Sequence, residues 1–220
     1  MQPVRRNSTA GFSTGERGAA IVARMSIWSW LLLGAGTWVL AVVLKVLADV
    51  VVQRLMTAAF RDWAAAFLSG VWSSLCELGL AALAFWYFAA TFADALVLAL
   101  GAASAEFLVL LVGAAGANWP KKQVKSKAAA EWNAFFAERA VAFASHLSAR
   151  ALMWLGVIGA AGLPAAGSAL GLFALTEAIQ AYGQAKEWDW LKSRVLWTYL
   201  LFQMLIVAFQ FALLVMWWRH

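Results

Sequence analysis

The sequence has few of the residues on which soluble enzymes depend. It contains one cysteine, two histidines and three prolines among 220 residues, and only 13% of its residues are charged. A soluble domain has about 25% charged residues. With Cys76 as its single cysteine, the chain forms no intramolecular disulfide and no thiolate metal cluster. Since Cys76 lies in an apolar run, we expect it to be a small packed side chain.

The composition is dominated by apolar side chains. Hydrophobic residues make up 64% of the chain, which includes 14 Trp and 14 Phe. This balance predicts an integral membrane protein whose first partner is the lipid bilayer. The formal charge of +6 does not indicate nucleic acid binding, because the cations lie in tails and loops instead of on one basic helix. We interpret them as topology signals and headgroup contacts.

The apolar runs predict an all-α, polytopic bundle of five to six transmembrane helices. The predicted spans are 27–52, 64–88, 91–115, 140–162, 168–185 and 195–218, with an interfacial helix at 128–136 before the fourth span. Whether 168–185 crosses fully stays open, because it is short. The predicted domains are a polar N-terminal tail, 1–25, and a single transmembrane domain, 26–220.

The orientation of the bundle stays open. If all six segments cross, the loops on one side carry ten Lys and Arg residues and the two tails carry five. The positive-inside rule then places the N-terminus outside. Exporting a tail with four arginines argues against that placement.

Ionisable residues on the fourth span form one stripe. His146 and Arg150 follow Arg139 by seven and eleven residues, so each lies within about 20° of Arg139 on a helix. Such residues are costly in lipid and normally face protein or a wet cavity. We therefore expect His146 to share one interior cavity with Glu77 and Glu106, the acids of the second and third spans.

Four charged residues have more local interpretations. Glu138 is predicted to lie in the first turn of the fourth span, where an acid complements the helix dipole. Arg139 is expected to pair with Glu106 or Glu77. In the first span, Lys45 and Asp49 are four residues apart; they form either a self-contained pair, which we favour, or part of a polar lining.

Several motifs resemble those of the YhfC-type membrane proteins. The residues that carry the resemblance are 34–45 in the first span, 69–77 at the family's glutamate motif, 92–107 in its glycine-rich segment and 138–154 in its Glu-Arg…His helix. That family is regarded as related to the bacterial CAAX-protease-like (CPBP) intramembrane peptidases. The resemblance implies a CAAX-protease-like fold and a glutamate-activated water that attacks a peptide bond inside the membrane.

The resemblance also implies a catalytic set. Glu77 and Glu106 would activate the water, and His146 would orient it or bind a metal. Arg139 or Arg150 would stabilise an oxyanion, or would serve structural pairing together with Glu138.

The motifs depart from the family pattern in three places. Only one glutamate, Glu77, stands where the family has two followed by an arginine, and no histidine precedes Glu106. No histidine occurs in 171–177, where the last family motif should lie. Zinc requires three or four ligands, usually including several His or Cys, so we expect neither a bound metal nor another cofactor.

These departures predict a pseudoprotease that binds or escorts a membrane substrate or partner. An active glutamate-dependent intramembrane endopeptidase is the first alternative, and a small transporter or channel subunit is the second. The predicted location is the bacterial inner (cytoplasmic) membrane.

Overall fold

The protein is an all-α helical bundle, as the sequence predicts. The computed structural model describes residues 25–56, 62–116, 125–159, 161–188 and 193–219, and within these ranges it contains six helices and no strand. The helices are α1 Ile27–Met56, α2 Asp62–Phe88, α3 Phe92–Gly116, α4 Lys125–Val157, α5 Gly162–Ala185 and α6 Ser193–Trp218. The predicted tail lies outside the described residues, apart from Met25.

All six helices are long and apolar enough to cross a membrane. About 20 residues span the hydrocarbon core, and the shortest helix, α5, has 24. This helix begins six residues before the predicted fifth segment. Pro164 occupies its first turn, where a missing N–H is tolerated, so the proline does not exclude these residues from the helix.

The fourth helix differs most from its prediction. The expected interfacial helix and fourth span form one continuous helix, α4, of 33 residues. No proline or glycine interrupts the chain between Lys125 and Arg139, so nothing ends a helix there. Glu138 therefore lies about four turns into α4, and its predicted place in a first turn was wrong.

A three-residue connection joins α2 to α3. Ala89 adopts a left-handed backbone with φ 47°, and the Ala90 N–H donates to Phe85 O at 3.0 Å, as in a Schellman-type helix end. Trp154 of α4 reinforces the turn, because its Nε1–H donates to Ala90 O at 2.7 Å.

Glycines allow two pairs of helices to approach backbone to backbone. A Cβ at Gly34 of α1 would lie 2.0 Å from Leu98 O of α3, and a Cβ at Gly101 would lie 2.1 Å from Leu31 O. Gly70 allows α2 to approach α5 in the same way, because a Cβ at Gly70 would lie 2.4 Å from Ala174 O. Small residues thus set the spacing of these helices.

The outward faces of the bundle are apolar. Large exposed side chains occur on every helix; they include Leu32, Trp86, Val112, Phe136, Leu163 and Trp197. Such a surface needs a lipid environment. It supports the conclusion that this is an integral membrane protein in contact with the bilayer.

Candidate functional site

The stripe on α4 faces the interior of the bundle. Arg139, His146 and Arg150 are all buried, and Arg150 is fully enclosed. The apolar residues around them leave water little access, so each charge needs partners on other helices. The acids that supply these partners come from α2, α3 and α4 itself.

Glu106 of α3 binds two groups of α4. Arg139 Nη1 donates to Glu106 Oε1 at 2.6 Å, and His146 Nε2 lies 2.5 Å from Glu106 Oε2. The predicted pairing of Arg139 with an acid of another span is confirmed. Arg139 also donates through Nε and Nη2 to the two oxygens of Glu138, so Glu138 serves as a pairing residue within α4.

Glu77 of α2 lies on the other side of the imidazole. Its Oε2 is 3.3 Å from Arg150 Nη2 and 3.8 Å from His146 Nδ1. Glu77, Glu106 and His146 therefore meet in the interior, but not around the single cavity that the sequence predicts: Glu77 and Glu106 line one cavity, and Glu106 and His146 line another. Three separate spans contribute these residues, so the site exists only in the assembled bundle.

The contacts of His146 determine its tautomer. Arg150 Nη1 contacts Nδ1, and a guanidinium has donors only, so Nδ1 must accept. Nε2 then carries the proton and donates to Glu106. Both ring nitrogens of His146 are thus engaged.

Lys45 corrects the preferred interpretation of the first span. Its Nζ donates to Glu77 Oε1 and lies 3.6 Å from Glu177 Oε2. The self-contained pair with Asp49 was wrong for the lysine, which belongs to the polar lining; the Asp49 side chain lies outside the described residues. Where α1 packs against α2, the Lys45 ammonium is the cation nearest to Glu77.

Glu177 is the site residue that sequence reasoning missed. It lies on α5, where Ser73 Oγ of α2 donates to its Oε2 at 2.5 Å. The available signal was that Glu177 is the one charged residue of α5. We call the assembled group the polar cluster: Lys45, Glu77, Glu106, Glu138, Arg139, His146, Arg150 and Glu177.

A cavity of about 280 Å³ opens beside the polar cluster. Four charged side chains line it: Lys45, Glu77, Glu106 and Glu177. The rest of the lining combines aromatic, amide and hydroxyl groups with aliphatic side chains: Trp38, Trp72, Ser69, Ser73, Gln180, Gln184, Val42, Leu110 and Ala181. This outer cavity can hold a polar group of a few heavy atoms that bears hydrogen-bond donors.

The chain matches no protein-family model, no curated protein and no solved structure. The resemblance to YhfC-type proteins therefore rests on the residues quoted from the sequence, and it stays a prediction.

The donor groups of the site are already engaged. Among the described residues, no group of three or more His, Cys, Asp or Glu side chains is arranged to hold a metal ion. His146 offers no free nitrogen, and Cys76 is buried in an apolar stretch of α2. A zinc site would have to displace the bound cations first.

Proposed function

We propose that the protein is a non-hydrolytic, CAAX-protease-like membrane protein of the YhfC type. It uses the outer cavity to bind or escort another membrane protein in a bacterial inner membrane. One observation carries the proposal: every carboxylate oxygen of Glu77 and Glu106 already has a cationic or imidazole partner. These carboxylates connect helices through their partners, and neither has a free oxygen to accept a proton from water.

Hydrolysis would require a different arrangement. A general base needs a positioned water within hydrogen-bond reach, and an oxyanion needs donors aimed at the reacting centre. Here the guanidinium groups of Arg139 and Arg150 are directed at Glu106 and Glu77. To activate water, a glutamate would first have to leave its cation, which exposes two unpaired charges in an apolar interior.

The lining of the outer cavity suits a partner that carries a polar group at membrane depth. Glu177 and two glutamine amides can accept hydrogen bonds there, while Trp38 and Trp72 offer aromatic faces. A lysine or arginine side chain within a transmembrane segment has matching donors and a charge that aromatic faces attract. Such a residue is costly in lipid alone, so burial in this cavity would stabilise the partner.

A photo-crosslinking experiment tests this function. Trp72 lines the cavity and is 45% exposed, whereas Trp197 is 61% exposed and lies on the outward face of α6. We expect a photoreactive phenylalanine at position 72 to capture an intact membrane protein that the same group at position 197 does not capture. Equal capture at both positions would contradict the proposal.

An active glutamate-dependent intramembrane protease is the second candidate. It is favoured by one observation: Glu77 and Glu106 both line the cavity, with His146 in contact with Glu106 and 3.8 Å from Glu77. Cleavage of reconstituted transmembrane peptides, lost in Glu77→Gln and kept in Glu187→Gln, would establish this activity. Glu187 is an exposed acid after α5 and serves as the matched control.

A further inference from the structure

A groove between α5 and α6 lies at the end of the bundle where α6 begins. Its volume is about 410 Å³, within the range of about 300–1,000 Å³ that is usual for small-molecule sites. Its walls are mainly apolar and include Ile179 of α5 with Val195 and Phe202 of α6. Among the described residues that line it, Arg194 is the one charged side chain and none is acidic.

Polarity falls along the groove from the membrane surface inward. Arg194, Thr198 and Phe202 succeed one another at intervals of four residues along one side of α6, and all three line the groove. Thr198 lies about 6 Å and Phe202 about 12 Å beyond Arg194 along the helix axis, while one leaflet of the hydrocarbon core is about 15 Å thick. A cation, a hydroxyl and an aromatic ring thus follow in the order of phosphate, glycerol ester and acyl chain in a phospholipid.

Arg194 is available to a headgroup phosphate. Its side chain is exposed, and it has no ion pair with any residue in the part of the chain that the structure describes. The nearby cation Lys186 pairs with Asp62 instead. A guanidinium keeps its charge at every physiological pH and can bind two phosphate oxygens at once, so this end of the groove favours an anionic ligand.

Trp188 places the same end of the groove at the membrane surface. Tryptophan is enriched where membrane meets water, and the Trp188 ring packs edge-on against Tyr182 of α5, with centroids 5.9 Å apart. Successive spans run in opposite directions, so the α1–α2 and α3–α4 connections lie on this side too. Their sequences add Arg61, Lys121 and Lys122, and a basic surface of this kind attracts anionic lipids.

We propose that this groove is a binding site for one anionic phospholipid. The phosphate pairs with Arg194, the Thr198 hydroxyl donates to the glycerol ester, and one acyl chain lies against Ile179, Val195 and Phe202. The site goes beyond the proposed function, since it shares no lining residue with the outer cavity. The lipid fills the space between α5 and α6 and so supports the packing of the last helix.

The test measures lipid binding to the whole chain in a neutral detergent. Native mass spectrometry follows titrations with phosphatidylglycerol and with phosphatidylcholine of the same acyl chains. We expect one phosphatidylglycerol per chain, bound about fivefold more tightly than phosphatidylcholine because its net charge is not cancelled within the headgroup. Inorganic phosphate at the same concentration should not displace the lipid, since it has no acyl chain.

Two arginines at opposite ends of α6 provide a variant and its control. Arg194→Gln should weaken the binding of phosphatidylglycerol by about tenfold and remove the preference for it. Arg219→Gln removes an equally exposed charge that does not line the groove, and it should leave lipid binding unchanged. Arg194→Lys keeps the charge and should keep the preference.

Two tryptophan substitutions test the acyl-chain part of the site. Val195→Trp fills the groove and should weaken the binding of both lipids. Leu201→Trp is the control, because Leu201 is 59% exposed and lies outside the lining. Equal binding of the two lipids, equal losses in Arg194→Gln and Arg219→Gln, full binding in Val195→Trp, or displacement by inorganic phosphate would each overturn the proposal.

Discussion

His146 Nε2 lies 2.5 Å from Glu106 Oε2 and thereby joins α4 to α3. The same imidazole accepts from Arg150 at Nδ1, and Arg150 reaches Glu77 on α2. His146 thus contacts Glu106 directly and is connected to Glu77 through Arg150. The stability of the bundle should therefore respond to substitutions in the polar cluster much more strongly than to changes in surface ion pairs.

The first prediction compares a partly buried lysine with an exposed one. Lys45→Met should lower the free energy of unfolding by about 1–3 kcal/mol, because Glu77 loses the donor to its Oε1. Lys186→Met is the control, since Lys186 pairs with Asp62 where both side chains are exposed; it should change stability much less than Lys45→Met does. Thermal unfolding in detergent measures both. Equal effects would argue against an interior role for Lys45.

The second prediction concerns the pairing of Arg139 with Glu106. Each of Arg139→Met and Glu106→Gln leaves the other residue without a charged partner across the α3–α4 contact. In a double-mutant cycle, the coupling energy should be about 0.5–3 kcal/mol. Glu106→Gln combined with Gln210→Leu should be additive within about 0.5 kcal/mol, because Gln210 bonds Ser148 instead. Coupling near zero for the first pair would refute direct contact.

The third prediction tests the glycine contacts of α1 and α3. Gly34→Ala and Gly101→Ala should each destabilise by about 1–3 kcal/mol or more, because the new Cβ meets a carbonyl oxygen of the other helix. At Gly36 and Gly113, a Cβ meets no atom within 4 Å. Alanine there should be neutral, or stabilising by up to about 1 kcal/mol, since it is the better helix former. If all four variants behave alike, the two helices are not in backbone contact.

The fourth prediction uses the turn between α2 and α3. Ala89→Gly should stabilise the protein by about 0.5–1 kcal/mol, because φ 47° is strained for alanine and free for glycine. Ala140→Gly, at an exposed position inside α4, should destabilise by about 1 kcal/mol. A loss of stability at position 89 would contradict the left-handed conformation.

The sequence was sufficient to predict the helices and the polar stripe that α4 contributes to the polar cluster. Apolar runs define each span, and the spacing of Arg139, His146 and Arg150 places them on one face whatever surrounds α4. Glu77 and Glu106, the acids that contact this stripe, were predictable because each is the only charged residue in the interior of its own span.

Glu177 carries the same signal, being the one charged residue of α5, but the partner of Lys45 could not be predicted in this way. Which residue Lys45 meets depends on the rotation and depth of α1 against α2, and no local spacing encodes these. Asp49, four residues away, therefore looked like the nearer partner. Glu138 was misplaced because no helix breaker precedes it. Its position within the helix depends on where α4 begins, and hydrophobicity alone does not show that residue.

The positions of the ion pairs in the sequence also determine when each pair can form during synthesis and membrane insertion. Lys45 and Glu77 are 32 residues apart, and Glu106 and Arg139 are 33 apart, so in both pairs the two charges leave the ribosome in quick succession. A lone charge at the centre of a membrane helix is penalised by about 2.5–3.5 kcal/mol during insertion. We expect α1 with α2, and α3 with α4, to enter the bilayer as pairs whose charges neutralise each other. Glu177 follows later, on the helix that completes the lining of the outer cavity.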